Sequence, residues 1–250
     1  MAAVPLKDAK RTPMRSPKRT QDKAPVSRKI QLFEVGAFLF LVLPSLVLSL
    51  FITGEGDEGF RLTAVLVIVR DLALVSLVLY FVWRNGEGFG QLGWTLRRLP
   101  LEVLLGILLF VPMTFGINWL EQFLTGIGLS SPPKSSSGFL QPTGHAQSSL
   151  WLAVGLVIVV AIAEETIFRG YLLLRFMGIG LGKVLAVVLS SAIFALGHGY
   201  EGMVGVATVG VMGVFFALIY LWRGSLIAPM VMHFLQDFIA IVLLPFLVGS

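Results

Sequence analysis

Apolar residues fill this chain in runs of about twenty, separated by short stretches rich in charge, glycine or serine. A helical run of that length matches the roughly 30 Å hydrocarbon core of a bilayer, so each predicts a membrane-spanning helix. Seven such runs can be marked. They cover about Leu32 to Ile52, Leu62 to Trp83, Leu101 to Leu124, Leu150 to Gly178, Gly182 to Gly197, Met203 to Trp222 and Ser225 to Phe246. The first is too long for a signal-peptide core and is followed by no small-residue cleavage site, so it is expected to stay as an anchor. The expected fold class is all-α, a polytopic transmembrane helix bundle of about seven spans.

Composition agrees with that pattern. Hydrophobic residues make up 56% of the 250 positions and charged residues only 13%, about half the charge of a soluble domain. There is no cysteine, which excludes disulfides, thiolate metal ligands and a cysteine nucleophile. The net charge of +5 is concentrated at one end: residues 1–29 hold nine Lys/Arg against two Asp. That basic balance belongs to a Pro-, Ser- and Lys-rich tail, so it does not point to nucleic acid. Residues 1–30 are expected to be a disordered cytoplasmic tail that sets topology and touches anionic lipid. With the tail inside, the basic connections at Arg84–Arg98, Arg175/Lys183 and Arg223 fall on the same side, as the positive-inside rule requires. Glu34 is then an interfacial residue, and His145, alone in a polar loop, a solvated one.

Ionisable residues inside the spans carry the functional signal, because charge at membrane depth is costly. The second span contains Arg70-Asp71, neighbours that face different directions and are each expected to need a partner on another helix. The fourth contains Glu164-Glu165-Thr166-Ile167-Phe168-Arg169. Glu165 and Arg169 are four apart and share a helix face, whereas Glu164 points roughly 100° away and lacks that partner. A carboxylate without a cation beside it is a candidate general base. Two further pairs follow at the same spacing, Phe194 with His198 and His233 with Asp237. Glu164 and His198 lie 16 and 18 residues either side of Gly180, nearly level on antiparallel helices.

This series, EExxxR, then FxxxH, then HxxxD on successive spans, resembles the CPBP family of CAAX prenyl proteases and bacteriocin-processing enzymes, also called Abi. The resemblance covers about residues 150–240. It implies an intramembrane endopeptidase whose catalytic core is 149–250, with 31–148 supplying N-terminal spans and loops. In that reading Glu164 and His198 activate water, Glu165 and Arg169 support the site, and His233 with Asp237 stabilises the oxyanion. It implies a site open to the cytoplasmic side of a bacterial inner membrane, acting on a peptide or membrane-protein substrate. The family pattern also allows a non-enzymatic scaffold or bacteriocin-immunity role. The prenyl proteases carry Asn where this chain has Asp237, and an ionised carboxylate cannot simply copy an oxyanion donor. We therefore expect Asp237 to serve His233, one turn earlier, and leave the ring as donor. Two His and a Glu can also form a zinc set, here Glu164, His198 and His233. The HExxH helix of zinc peptidases is absent, and no obligatory metal is expected.

Overall fold

The structure, a computed structural model, describes residues 26–49, 57–129 and 147–248. Most of the basic tail, the loop 50–56 and the loop containing His145 lie outside the described residues. The described chain is helical throughout, with no strand among those residues. Helix α1 (Arg28–Ser49) is followed by α2 (Asp57–Arg84), a short turn of 3-10 helix (Phe89–Leu92) and α3 (Leu99–Gly126). Then comes a single rod built of α4 (Gln147–Glu165), a π-helical stretch (Thr166–Leu172) and α5 (Leu173–Gly178). Helix α6 (Lys183–Leu196) returns, and a 3-10 turn (Gly199–Glu201) leads into α7 (Gly202–Arg223). The last rod is α8 (Ile227–Asp237), a second π-helical stretch (Phe238–Leu243) and α9 (Leu244–Val248).

Among the described residues five helical rods are long and apolar enough to cross a membrane: 59–84, 99–126, 149–178, 199–223 and 227–247. The seven expected runs are all helices, yet α6 has only 14 residues. At 1.5 Å per residue it extends about 21 Å, short of a full crossing. Helix α1 begins at Arg28, so the predicted tail 1–30 ends a little early and its last residues are helical.

Local sequence accounts for several boundaries. Pro100 sits in the first turn of α3, where a missing N–H costs nothing. Gly224 ends α7 in the left-handed region at φ 64°, the usual helix stop. The long faces of the rods carry exposed Phe40, Phe115, Trp119 and Val184, which suits a surface solvated by lipid. Inside, α3 packs on α8, α6 on α7 and α2 on α4. The α3–α8 approach depends on Gly106: a Cβ there would come within 2.7 Å of Val231 and 2.9 Å of the Ala228 carbonyl. Small residues of this kind let helices close in where lipid provides no hydrophobic drive.

The basic connections gather at one end of the bundle. Gln31 of α1 touches Gly178, Arg28 lies against Gly180, and Arg223 pairs with Glu102 at 2.7 Å. Glu34 is at this end too, and here the interfacial expectation fails. It is fully buried, with Arg84 Nη2 at 2.7 Å and Asn85 Nδ2 at 2.8 Å on one oxygen, and Tyr171 Oη and Arg175 Nε both at 3.3 Å on the other. Arg175, of one of the basic connections, is buried and also grips Glu87 with both terminal nitrogens.

Candidate active site

The polar residues of the fourth and last spans meet in the bundle interior. Glu165 and Arg169 form the expected i, i+4 pair, Nη1 to Oε1 at 2.9 Å, with both side chains buried. The π-helical stretch starts directly after Glu165. Such wide turns recur at functional positions, and this one carries Arg169 into an aromatic cage. Its guanidinium carbon stands 4.1 Å from the Phe194 ring centre and 5.2 Å from that of Phe216. Cation–π contact of this kind helps to hold a buried charge.

His233, buried on α8, is the hub. Its Nδ1 lies 3.0 Å from Glu165 Oε1, and its Nε2 lies 3.4 Å from Asp237 Oδ2 and 3.9 Å from Glu164 Oε2. Both ring nitrogens therefore face carboxylate oxygens, an arrangement suited to a ring carrying both protons. Phe216 stacks on the ring at 5.7 Å and Phe194 meets it edge-on at 5.8 Å. The distances on Nε2 exceed those of a full charge-assisted hydrogen bond, so that nitrogen is the less committed of the two.

Five of the six expected site residues, Glu164, Glu165, Arg169, His233 and Asp237, form one chain of contacts. His198 stands one ring away. It packs on Phe194 at 4.9 Å and Tyr200 at 5.9 Å, and among the described residues it has no carboxylate within ion-pair distance. Its Nδ1 lies 3.2 Å from the Phe194 carbonyl oxygen. A carbonyl only accepts, so in the neutral ring Nδ1 carries the proton and Nε2 keeps its lone pair.

Residues 146–239 match the family model described as Rce1-like, type II CAAX prenyl endopeptidase. This segment, under half of the chain, is similar to that family. The family is one of proteases, and the match takes in all three paired motifs. No curated protein and no solved structure matches the chain. The protein is accordingly an integral membrane protein carrying a segment of the CAAX-protease type.

Two expectations about partners need correction. Glu164 does not stand free of cations: Arg70 Nη2 of α2 reaches within 3.7 Å of its Oε1. Arg70 and Asp71, expected to find separate partners, bond to each other, Nε to Oδ1 at 2.9 Å. No three His, Asp or Glu among the described residues converge as a metal shell, and Glu165 already occupies His233 Nδ1. Phe216 and Tyr200 escaped the sequence reading. Phe216 gives no signal in a run of apolar residues; Tyr200 lies within electrostatic reach of Glu164, Asp237 and Glu201, and only its place two residues after His198 hints at this.

The cluster is also incompletely bonded. Glu164 Oε2, Glu165 Oε2, Asp71 Oδ2 and both terminal nitrogens of Arg169 are buried without a hydrogen-bond partner. Buried polar atoms are almost always satisfied, and a concentration of exceptions marks a place built for another purpose than packing.

Proposed function

We propose that this protein is an intramembrane endopeptidase that cuts peptide bonds with a glutamate- and histidine-activated water. The observation that carries the reading is His233, buried and bracketed by Glu164, Glu165 and Asp237 within an Rce1-like segment. In the reaction, water attacks the carbonyl carbon and gives its proton to Glu164, assisted by the lone pair on His198 Nε2. The oxyanion that forms accepts a hydrogen bond from His233 Nε2–H. The proton then passes to the leaving nitrogen as the C–N bond breaks, giving a carboxylic acid and an amine. Glu165, paired with Arg169, holds the His233 ring from its other nitrogen, and Asp237 Oδ2 stands 3.4 Å from Nε2.

Placement of the site supports access from the cytoplasmic side. His233 lies six residues into α8 from the basic end of the bundle, about 9 Å deep, and basic ends face the cytoplasm. The substrate class is a peptide or the tail of a membrane protein, of which a prenylated C-terminal motif is one form.

The test uses the full chain, purified in detergent or nanodiscs, with a farnesylated CAAX-type reporter peptide and the same peptide without lipid. Cleavage of either one that disappears in Glu164→Gln, with the melting temperature kept, supports the reading. Cleavage that persists at the parent rate in that variant overturns it.

A further inference from the structure

The Rce1-like match begins at residue 146, yet the carboxylate at its centre is met from outside it. Arg70 on α2 stands 3.7 Å from Glu164 Oε1 through Nη2 and donates from Nε to Asp71 Oδ1 at 2.9 Å. Successive residues on a helix point about 100° apart, so their contact is no default of the helix. A guanidinium offers two donor edges. Asp71 takes one of them, which turns the other toward Glu164. Asp71 itself is buried, and its Oδ2 bonds to nothing. A carboxylate that served only to glue helices would have both oxygens bonded, as Glu34 has. Arg70 keeps a third of its side chain exposed, at the edge of the cluster rather than in its packing.

We propose that Arg70, tethered by Asp71, is a positioning residue for Glu164: it balances the charge of that carboxylate and fixes its direction. The working unit then includes α2 as well as the Rce1-like segment. The groups around Glu164 are Arg70 and Asp71 from α2, Glu165 and Arg169 from its own rod, His233 from α8, and Tyr200 from the turn before α7. Of these, Arg70 is the cation directly opposite Glu164 Oε1. This inference rests on reading Glu164 as the base, so its test needs a readout that does not depend on turnover.

Dicyclohexylcarbodiimide supplies one. A protonated carboxyl gives its proton to a carbodiimide nitrogen while the carboxylate oxygen bonds to the central carbon. The O-acylurea so formed rearranges to a stable N-acylurea, which is read as a mass tag on the peptide containing Glu164. With the full chain in nanodiscs at neutral pH, labelling of Glu164 should be slow in the parent. It should rise about fivefold or more in Arg70→Gln, because the guanidinium facing Glu164 Oε1 at 3.7 Å is gone and no longer shields that oxygen from the reagent. Arg70→Lys should stay near the parent. Should Arg70→Gln fail to fold, Asp71→Asn loosens the tether and gives a smaller rise. Equal labelling in the parent and in whichever of these variants folds overturns the proposal. In the peptide assay, Arg70→Gln should lower kcat with KM kept, and Arg70→Lys should recover part of it; a change in KM alone overturns the positioning role. Faster labelling with no peptide cleavage by the parent would sink the peptidase reading and leave Arg70 in place. Unchanged labelling beside active parent enzyme would do the reverse.

Discussion

At the basic end of the bundle Glu34 draws Arg84 and Asn85 onto one oxygen and Tyr171 and Arg175 onto the other. A few turns deeper, Glu164 faces Arg70 at 3.7 Å and His233 at 3.9 Å, and one of its oxygens bonds to nothing. Both carboxylates are buried in the same helix bundle, and both are surrounded by cations. The first group is nearly closed: both oxygens of Glu34 accept hydrogen bonds, and Arg175 Nε, held only as an ion pair at 3.3 Å, is its one buried atom without a hydrogen bond among the described residues. The second is left open on several atoms at once. Saturation is what packing requires; the shortfall at Glu164 suits the role of base proposed for it, since a base tied up by strong donors has little left for water. Identity and burial of the residues do not separate a structural cluster from a chemical one. The number of bonds left to make does, with one such buried atom in the first group and five in the second.

That contrast can be broken by exchanging damage between the clusters. The largest effect is expected from Glu164→Gln, which should lower peptide cleavage by roughly 100- to 10,000-fold, the usual share of a general base. Its melting temperature should stay near the parent's. Glu34→Ala should act in the opposite way. It takes the acceptor from Arg84, Asn85 and Tyr171, and leaves Arg175 with Glu87 alone, so it should cost about 1–3 kcal/mol of stability, while activity per folded molecule, measured after correcting for the folded fraction, stays close to normal. An activity loss in Glu34→Ala as deep as that of Glu164→Gln would dissolve the distinction.

Glu165→Gln sharpens the boundary, because Glu165 belongs to both descriptions. It holds the buried Arg169 and the His233 Nδ1, so activity and melting temperature should fall together. Equal thermal loss in Glu164→Gln and Glu165→Gln would end the division of labour between them. The smallest effect is expected from Asp237→Asn. At 3.4 Å from His233 Nε2 it supports the ring without gripping it, so activity should survive at low pH, with the loss growing as pH rises. A basic limb of the pH–rate profile that moves to higher pH instead would make Asp237 a hydrogen-bond donor in its own right.

The apolar runs gave the helices to within a few residues, and the four-residue spacing of Glu165 and Arg169 gave their pairing, because both depend on helix period alone. Partners on other helices do not follow from period. Arg70 opposite Glu164, and the four ligands of Glu34, needed the packing of α2 and α1 against the central rod. Glu34 did leave a trace, being an acid at the edge of an apolar run with a cost to be met somewhere. The π-helical stretches after Glu165 and before Leu244 left none, since no residue pattern there separates a wide turn from an ordinary one.

The brevity of α6 bears on a supply problem. Every bond a hydrolase cuts consumes one water molecule, and lipid holds almost none. Helix α6 ends at Leu196 after about 21 Å, roughly 9 Å less than the hydrocarbon is thick. The chain then runs through Gly197, His198 and the 3-10 turn before α7 begins at Gly202. Irregular backbone at that depth survives only where protein covers it or a wet cavity adjoins it. The early end of α6 therefore sets this irregular stretch beside His198, the group proposed to help activate water, the reactant that no membrane stores.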